Sequence, residues 1–352
     1  MKVGIPRALL YYQYYPMWKT FFEELGASVL VSGPTTKATL AAGIERLVAE
    51  TCLPIKVYCG HVLELTEQVD YVFVPAVRGL EPKVLNCSHF LGLPDLVRAV
   101  IPEAPPLLAP DIDLDQKSSE DKYCQPPTSD IPFKARRVLY QTIYQLGSHF
   151  TRNPLRIKAA AERAWQVHQD YLRLMQTGLT PTEAIARWEG NHHPNCSRRI
   201  ANPPGANEEH TIALIGHPYN LYDTYTTHNL VAKLRGLGVK VVTSEMATPE
   251  ELRQGILDLT GQPYWTYEDE MVGAAGHYLR DERVDGFIAV GSFGCGPDST
   301  LLDVVQRATR EAGQPFMSLI LDEHTGEAGL VTRLEAFVDM LARWKRRTLA
   351  KV

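Results

Sequence analysis

Apolar positions along the chain fall into two kinds of run. Short Val- and Ile-rich stretches, such as VDYVFVP from Val69 and VDGFIAV from Val284, read as buried strands. Longer stretches such as LLDVVQRATR space their apolar residues along one helical face. Strands alternating with helices in this way predict parallel sheets covered on both faces. The pattern also repeats. KVGIPRALLYYQYYPMWKTFFEELGASVLVS near the start and ALIGHPYNLYDTYTTHNLVAKLRGLGVKVVTS later on share one plan: an apolar strand, Gly-x-Pro, and an aromatic-rich segment leading into a helix. Gly4 and Gly26 are 22 positions apart, as are Gly216 and Gly238, and each later glycine suits a helix C-cap before the next strand. VDYVFVP and VDGFIAV then correspond in turn. Three correspondences in one order predict two similar α/β lobes.

Between them the character changes. PEAPPLLAPDIDLDQKSSEDKYCQPPTSD is acidic and Pro-rich and reads as a long connection. From Phe133 to Trp188 the spacing is helical, and EGNHHPNCSRRIANPPGANEEH returns to a loop. The expected organisation is an N-terminal lobe over 1–110, a connection and helical bridge over 111–209, and a C-terminal lobe over 210–352.

Composition narrows the function classes. With 45% apolar and 22% charged residues the chain is an ordinary globular protein. A net charge of −5 gives no footprint for nucleic acid, and RWKRR near the end reads as a solvated helix terminus. No apolar stretch is long enough to span a membrane, and the N-terminus enters a strand-like run without a secretory signal. A cytoplasmic protein is expected. Its six cysteines then read as reduced thiols or metal ligands. They contain no C-x-x-C pair, so a cluster must be assembled from distant parts of the fold.

The candidate chemistry starts at GSFGCGPDST. Cys295 stands between two glycines in a strand-to-helix loop, with Pro297 and Asp298 as helix-start residues. Backbone N–H groups there lower a thiol pKa, which suits a nucleophile, a redox thiol or a metal thiolate. A small residue in a tight turn is the plainer alternative. Cys87 follows the corresponding strand of the first lobe, and Cys52 lies where one helical run ends and Pro54 can start another. Ligands of parallel α/β lobes gather at the carboxyl ends of strands. Loops of two facing lobes could therefore bring these three thiols to one iron–sulfur site. Cys59 reads as a packed residue, and Cys124 and Cys196 as thiols in polar segments. His192, His193 and Cys196 would need a further ligand to bind zinc. His217 in IGHPYN, and His324 with Glu327 and Glu323 in LDEHTGEAG, are candidate proton-transfer groups. Arg7 and Arg333 are candidate anion-binding groups. A turn-stabilising hydrogen bond for His217 and an internal ion pair for Arg333 are the competing structural roles.

MKVGIPRALLYY, TCLPIKVY, GHVLEL, FLGLPD, IGHPYN, GSFGCGPDS and DEHTGEAGLVTRLEAF together make the chain resemble the 2-hydroxyacyl-CoA dehydratase and benzoyl-CoA reductase superfamily, in its branch associated with CoA-enzyme activases. The resemblance implies two Rossmann-like or flavodoxin-like lobes with a cluster in the cleft between them. It implies a 4Fe-4S cluster on Cys52, Cys87 and Cys295; a double-cubane cluster needs more cysteines in suitable contexts. It implies a separate ATP-dependent activator carrying its own iron–sulfur cluster, whose low-potential electron drives radical dehydration or reduction of an acyl-CoA. A homo- or heterodimer, oxygen sensitivity, and no binding to nucleic acid or membrane complete the expectation. No P-loop is present to make the chain its own ATPase. Two other readings remain open: an electron-transfer or cluster-delivery protein, and a metal-free two-lobed binding protein.

Overall fold

The computed structural model describes residues 1–80, 84, 86–113, 133–190 and 210–349. Cys124, Cys196 and the His192–His193 pair lie outside the described residues, as do the rest of 114–132 and of 191–209.

The chain falls into two compact units. Met1–Thr51, Ile55–Asp170 and Gln262–Asp269 form the first, and Cys52–Pro54, Tyr171–Gly261 and Glu270–Val352 the second. In chain order the elements begin β1 (Lys2–Ile5), α1 (Tyr11–Glu24), β2 (Ser28–Val31), α2 (Lys37–Ile44), α3 (Leu53–Leu65), β3 (Tyr71–Phe73), β4 (Ala76–Gly79), α4 (Ser88–Leu91), α5 (Leu93–Val100), β5 (Leu107–Leu108) and β6 (Asp111–Asp113). Helices α6 (Phe133–Ser148), α7 (Pro154–Gln176) and α8 (Pro181–Trp188) follow. The remainder is β7 (His210–Ile215), α9 (Pro218–Tyr222), α10 (Leu230–Gly236), β8 (Val239–Val242), α11 (Pro249–Thr260), α12 (Glu268–Leu279), β9 (Gly286–Ser292), α13 (Gly296–Glu311), β10 (Phe316–Leu321) and α14 (Glu327–Leu349).

Both main sheets are four-stranded and their strands pair in parallel. Their strand orders, β2-β1-β3-β5 and β8-β7-β9-β10, are the same topology built twice. The expected mixed α/β fold with two flavodoxin-like lobes is what the chain adopts. The first core gathers aromatic rings: Trp18 and Phe22 of α1 stand 4.7 and 5.2 Å from Phe73 of β3, centroid to centroid. In the second, β9 is buried along its whole length, and Phe287 and Ala289 pack with Met271, Ala275, Leu301 and Val305 from α12 and α13. Burial of a strand on both faces is why VDGFIAV shows no polar alternation.

The two units keep step over their first half, residues 212 positions apart serving the same purpose. Gly26 and Gly238 both take left-handed backbone, φ +89° and +77°, each closing a helix after a leucine C-cap. Thr36 and Thr248 both start the next helix with a capping box. Gly43 and Gly255 both mark a helix crossing so close that an added Cβ would lie 1.8 Å from the Lys56 carbonyl oxygen and 2.0 Å from that of Gly273. The copies diverge in one place. Helix α1 runs unbroken over fourteen residues, whereas the matching stretch 223–236 is helical only from Leu230. Asp223 explains this: its Oδ1 accepts the amides of Tyr225 and Thr226, both at 3.0 Å, and offers the backbone a turn instead of a helix. His228 and Asn229 then take left-handed backbone, φ +49° and +59°.

Candidate functional site

The carboxyl ends of β7, β9 and β10 carry the three sequence motifs singled out in the second unit, IGHPYN, GSFGCGPDS and DEHTGE. Gly216 allows the first of these loops to leave the sheet. A Cβ there would fall 2.7 Å from the Val290 carbonyl oxygen of the neighbouring strand. His217 and Asn220 follow, 2% and 3% exposed. From β9, Ser292 accompanies them, and Asp298 of the first turn of α13 reaches back beneath the loop at 1% exposure.

These four side chains form one buried network. Asp298 Oδ2 accepts the Ser292 amide at 2.9 Å and the Asn220 Nδ2 donor at 3.3 Å. Ser292 Oγ donates to Asn220 Oδ1 at 2.7 Å. His217 Nε2 lies 3.1 Å from Asp298 Oδ1, an ion-pair distance without hydrogen-bond alignment, and its ring stacks on Tyr219. The sequence pattern marks His217, and Asp298 only as a helix-start residue; it marks neither Asn220 nor Ser292. The repeat itself held a signal. At the matching positions of the first unit stand Ile5 and Ala8, both buried and apolar.

Cys295 occupies the N-cap of α13, a sixteen-residue helix. Gly294, at φ +79°, turns the chain before it, and the Cys295 amide donates to the Ser292 carbonyl at 3.1 Å. Ser299 donates from its amide and its hydroxyl to the Cys295 carbonyl. The thiol is partly buried, while the adjacent Phe293 ring is 67% exposed.

The third motif is tied to the α9–α10 region. Thr325 accepts His228 Nε2 at its carbonyl oxygen, 2.7 Å away, and Lys233 pairs with Glu327 at 2.7 Å. The Lys233 hydrogen bond and charge hold the Glu327 carboxyl below its usual range, so Glu327 sits on the surface as a committed carboxylate. His324 is exposed, with its amide on Asp322 Oδ1. Arg333, a candidate anion-binding group, donates to the Ser318 carbonyl of the edge strand β10.

In the first unit, Arg7 follows β1 as expected. Its guanidinium lies 5.5 Å from the Tyr11 ring and its amide donates to Ser32 Oγ at 2.8 Å. Nearby, the fully buried His61 bonds Thr35 Oγ1 at 2.8 Å, and burial, with the Arg7 charge second, lowers its pKa to about 4. Cys87 is the N-cap of the short helix α4. Its amide is held by Asn86 Oδ1 at 2.8 Å, and Asn86 itself is anchored to the Val77 carbonyl of β4. Cys52 is buried and immediately precedes α3; the short segment Cys52–Pro54 groups with the second unit. Cys59 is fully buried, and burial pushes its thiol up to about 12, as suits a packed residue. All four are thiols rather than disulfides. Among the described residues no group of three or more His, Cys, Asp or Glu side chains is arranged to hold a metal ion. None of the described helices is long and apolar enough to cross a membrane.

Fold and site together define a duplicated parallel α/β protein with cysteines placed at helix starts and a buried polar network under one of them. Residues 2–247 match the family described as the CoA enzyme activase uncharacterised domain, and the chain belongs to that family. The matched span includes Cys52, Cys87, His217 and Asn220; Ser292, Cys295 and Asp298 lie beyond it. No curated protein matches the chain.

Proposed function

We infer that this chain is the iron–sulfur component of an ATP-activated system, a reductase or 2-hydroxyacyl-CoA dehydratase-like protein whose cluster is held by Cys52, Cys87 and Cys295. One observation carries the reading: in a chain of the CoA enzyme activase family, each of these cysteines is the residue directly before a helix. Helix-start N–H groups favour a thiolate over a thiol, most strongly at the long helix α13. Three thiolates are also the donor chemistry of a cluster with one open iron. A 4Fe-4S cluster, when bound, supplies low-potential one-electron chemistry.

The protein side of the work falls to the loops. Gly294 and Gly296 flank Cys295, and an added Cβ on Gly296 would meet nothing within 4 Å, so the backbone there is open to a large inorganic group. The partners that follow are a separate ATP-dependent activator delivering the electron, an acyl-CoA substrate, and a second subunit in a homo- or heterodimer. The test is anaerobic purification and reconstitution with iron and sulfide, followed by metal and sulfide analysis and EPR of the dithionite-reduced protein. The reading expects a stoichiometric cluster that Cys52→Ser, Cys87→Ser and Cys295→Ser each diminish or alter spectroscopically, and that Cys59→Ser leaves in place. Wild-type protein that takes up no iron and sulfide would end it.

A further inference from the structure

The duplication provides an internal control for the buried network. Ile5 and Ala8 show that this fold closes well with apolar side chains at the two positions where the second unit has His217 and Asn220. Burying an imidazole, an amide and a carboxylate is unfavourable unless their hydrogen bonds are met inside, and partly met networks are worse than an apolar core. Packing alone therefore does not call for His217 and Asn220 at these positions, whereas Asp298 also serves the start of α13 and the Ser292 amide.

The connections of the network show what it restrains. Asp298 Oδ2 grips the Ser292 amide, and the Ser292 carbonyl in turn accepts the Cys295 amide. Asn220 binds both Ser292 Oγ and Asp298 Oδ2, joining the loop after β7 to the loop after β9. His217 faces the other Asp298 oxygen from the same β7 loop. The turn carrying Cys295 is thus held at its first residue, from below and from the neighbouring strand. At 2% exposure His217 is also poorly placed to reach a substrate directly.

We propose that Asp298 is a positioning residue, acting with His217, Asn220 and Ser292 to fix the Ser292–Cys295 turn and so set the place of the Cys295 thiol for its cluster. This rests on the reading of Cys295 as a cluster ligand. It replaces the expectation of His217 as an acid–base group with a role exerted through Asp298. Partners that orient metal ligands in this way change metal affinity by about 10–100-fold when removed.

The experiment compares wild type with Asp298→Asn, which keeps size and an acceptor but removes the charge facing His217, and with the double variant His217→Ile/Asn220→Ala, which writes the first unit's residues into the second. Two quantities are read: iron retention against a chelator with the EPR signal of the reduced reconstituted protein, and the rate at which iodoacetamide labels Cys295 relative to Cys87 in metal-free protein. Circular dichroism and urea unfolding identify any variant that fails to fold. Folded variants are expected to lose about tenfold in iron retention and to show a changed EPR signal and a changed Cys295-to-Cys87 labelling ratio. Wild-type iron retention, EPR and labelling in both folded variants would overturn the proposal while leaving the cluster reading intact. If wild type binds no cluster but the variants change the labelling ratio, the positioning role stands and the cluster reading fails. Should Asp298→Asn alone not fold, the double variant decides by the same readouts.

Discussion

Gly255 of α11 lies against Gly273 of α12 so closely that a Cβ on Gly255 would stand 2.0 Å from the Gly273 carbonyl oxygen. Gly273 and Gly276 return the contact, at 2.3 Å from Leu252 O and 2.4 Å from Gly255 O. Backbone atoms cannot rotate away as a side chain can, so one methyl forces the helices apart. Gly255→Ala is expected to destabilise the protein by about 3 kcal/mol, the upper end of ordinary overpacking. Gly43→Ala in the first unit should do the same, for the same reason. Gly329→Ala in α14, where the new Cβ meets nothing, should instead stabilise by about 0.5–1 kcal/mol. Urea unfolding of the three variants checks the contrast, and equal effects at all three sites would refute the crossing argument.

A second prediction concerns pH. His168 is 7% exposed between Tyr14 and Trp165, ring centroids 5.4 and 5.5 Å away, and its Nδ1 has no hydrogen-bond partner among the described residues. Burial lowers its pKa to about 4, from 6.5 in the unfolded chain. Between those values the unfolded state binds the extra proton, so the native state is fully stable above pH 6.5 and loses stability as pH falls toward 4. The loss from this residue is about 2 kcal/mol at pH 5. His168→Phe keeps the ring contacts and removes the titrating group. Its stability relative to wild type should rise by about that amount between pH 7 and pH 5 in urea unfolding. A constant difference across the range would show that His168 is not held neutral.

Gly26, Gly238 and the buried run Gly286–Ser292 were legible in the sequence because each records a local requirement: a left-handed cap, or a strand covered on both faces. Cys295 as a helix-start residue was legible for the same reason, since Pro297 and Asp298 mark a helix start. The network under it was not. Asn220 meets Ser292 and Asp298 across 72 and 78 positions, and no local pattern records such a pairing. Asp298 was legible only as a first-turn acid, which says nothing of its reaching back to the Ser292 amide. The broken helix at 223–229 was obscured by the aromatic-rich pattern shared with α1; a single aspartate decides it by accepting two local amides.

Thiol reactivity separates the packed cysteine from the helix-start cysteines. With its pKa at about 12, Cys59 has a thiolate fraction on the order of 10⁻⁴ at pH 8, and no exposed surface. In metal-free native protein, iodoacetamide should label Cys87 and Cys295, which are partly buried, and leave Cys59 unlabelled until urea unfolds the chain. Mass spectrometry of the cysteine peptides over time gives the answer. Native labelling of Cys59 at the rate of Cys295 would contradict its placement in the core.

The capping boxes give the last prediction, because the two copies use different chemistry at one position. Thr36 is paired with the neutral Thr39 hydroxyl, its amide 3.3 Å from Thr39 Oγ1. Thr248 is paired with a carboxylate: its amide donates to Glu251 Oε2 at 2.7 Å, and the Thr248 hydroxyl adds 2.9 Å. The backbone hydrogen bond from Thr248 is the main cause holding the Glu251 carboxyl below 4.5, with the Thr248 hydroxyl, His277 and Arg280 adding to it. A depressed carboxyl contributes stability that is present above the unfolded value and lost as pH falls through the folded one. Thr36→Ala and Thr248→Ala should each cost about 1 kcal/mol at pH 7. The penalty of Glu251→Gln should persist down to pH 4.5 and shrink below it, while that of Thr36→Ala stays level over the same range. Urea unfolding of both variants beside wild type at each pH tests this. A Thr36→Ala penalty that fades in step with Glu251→Gln would mean that both helix starts respond to some other titrating group.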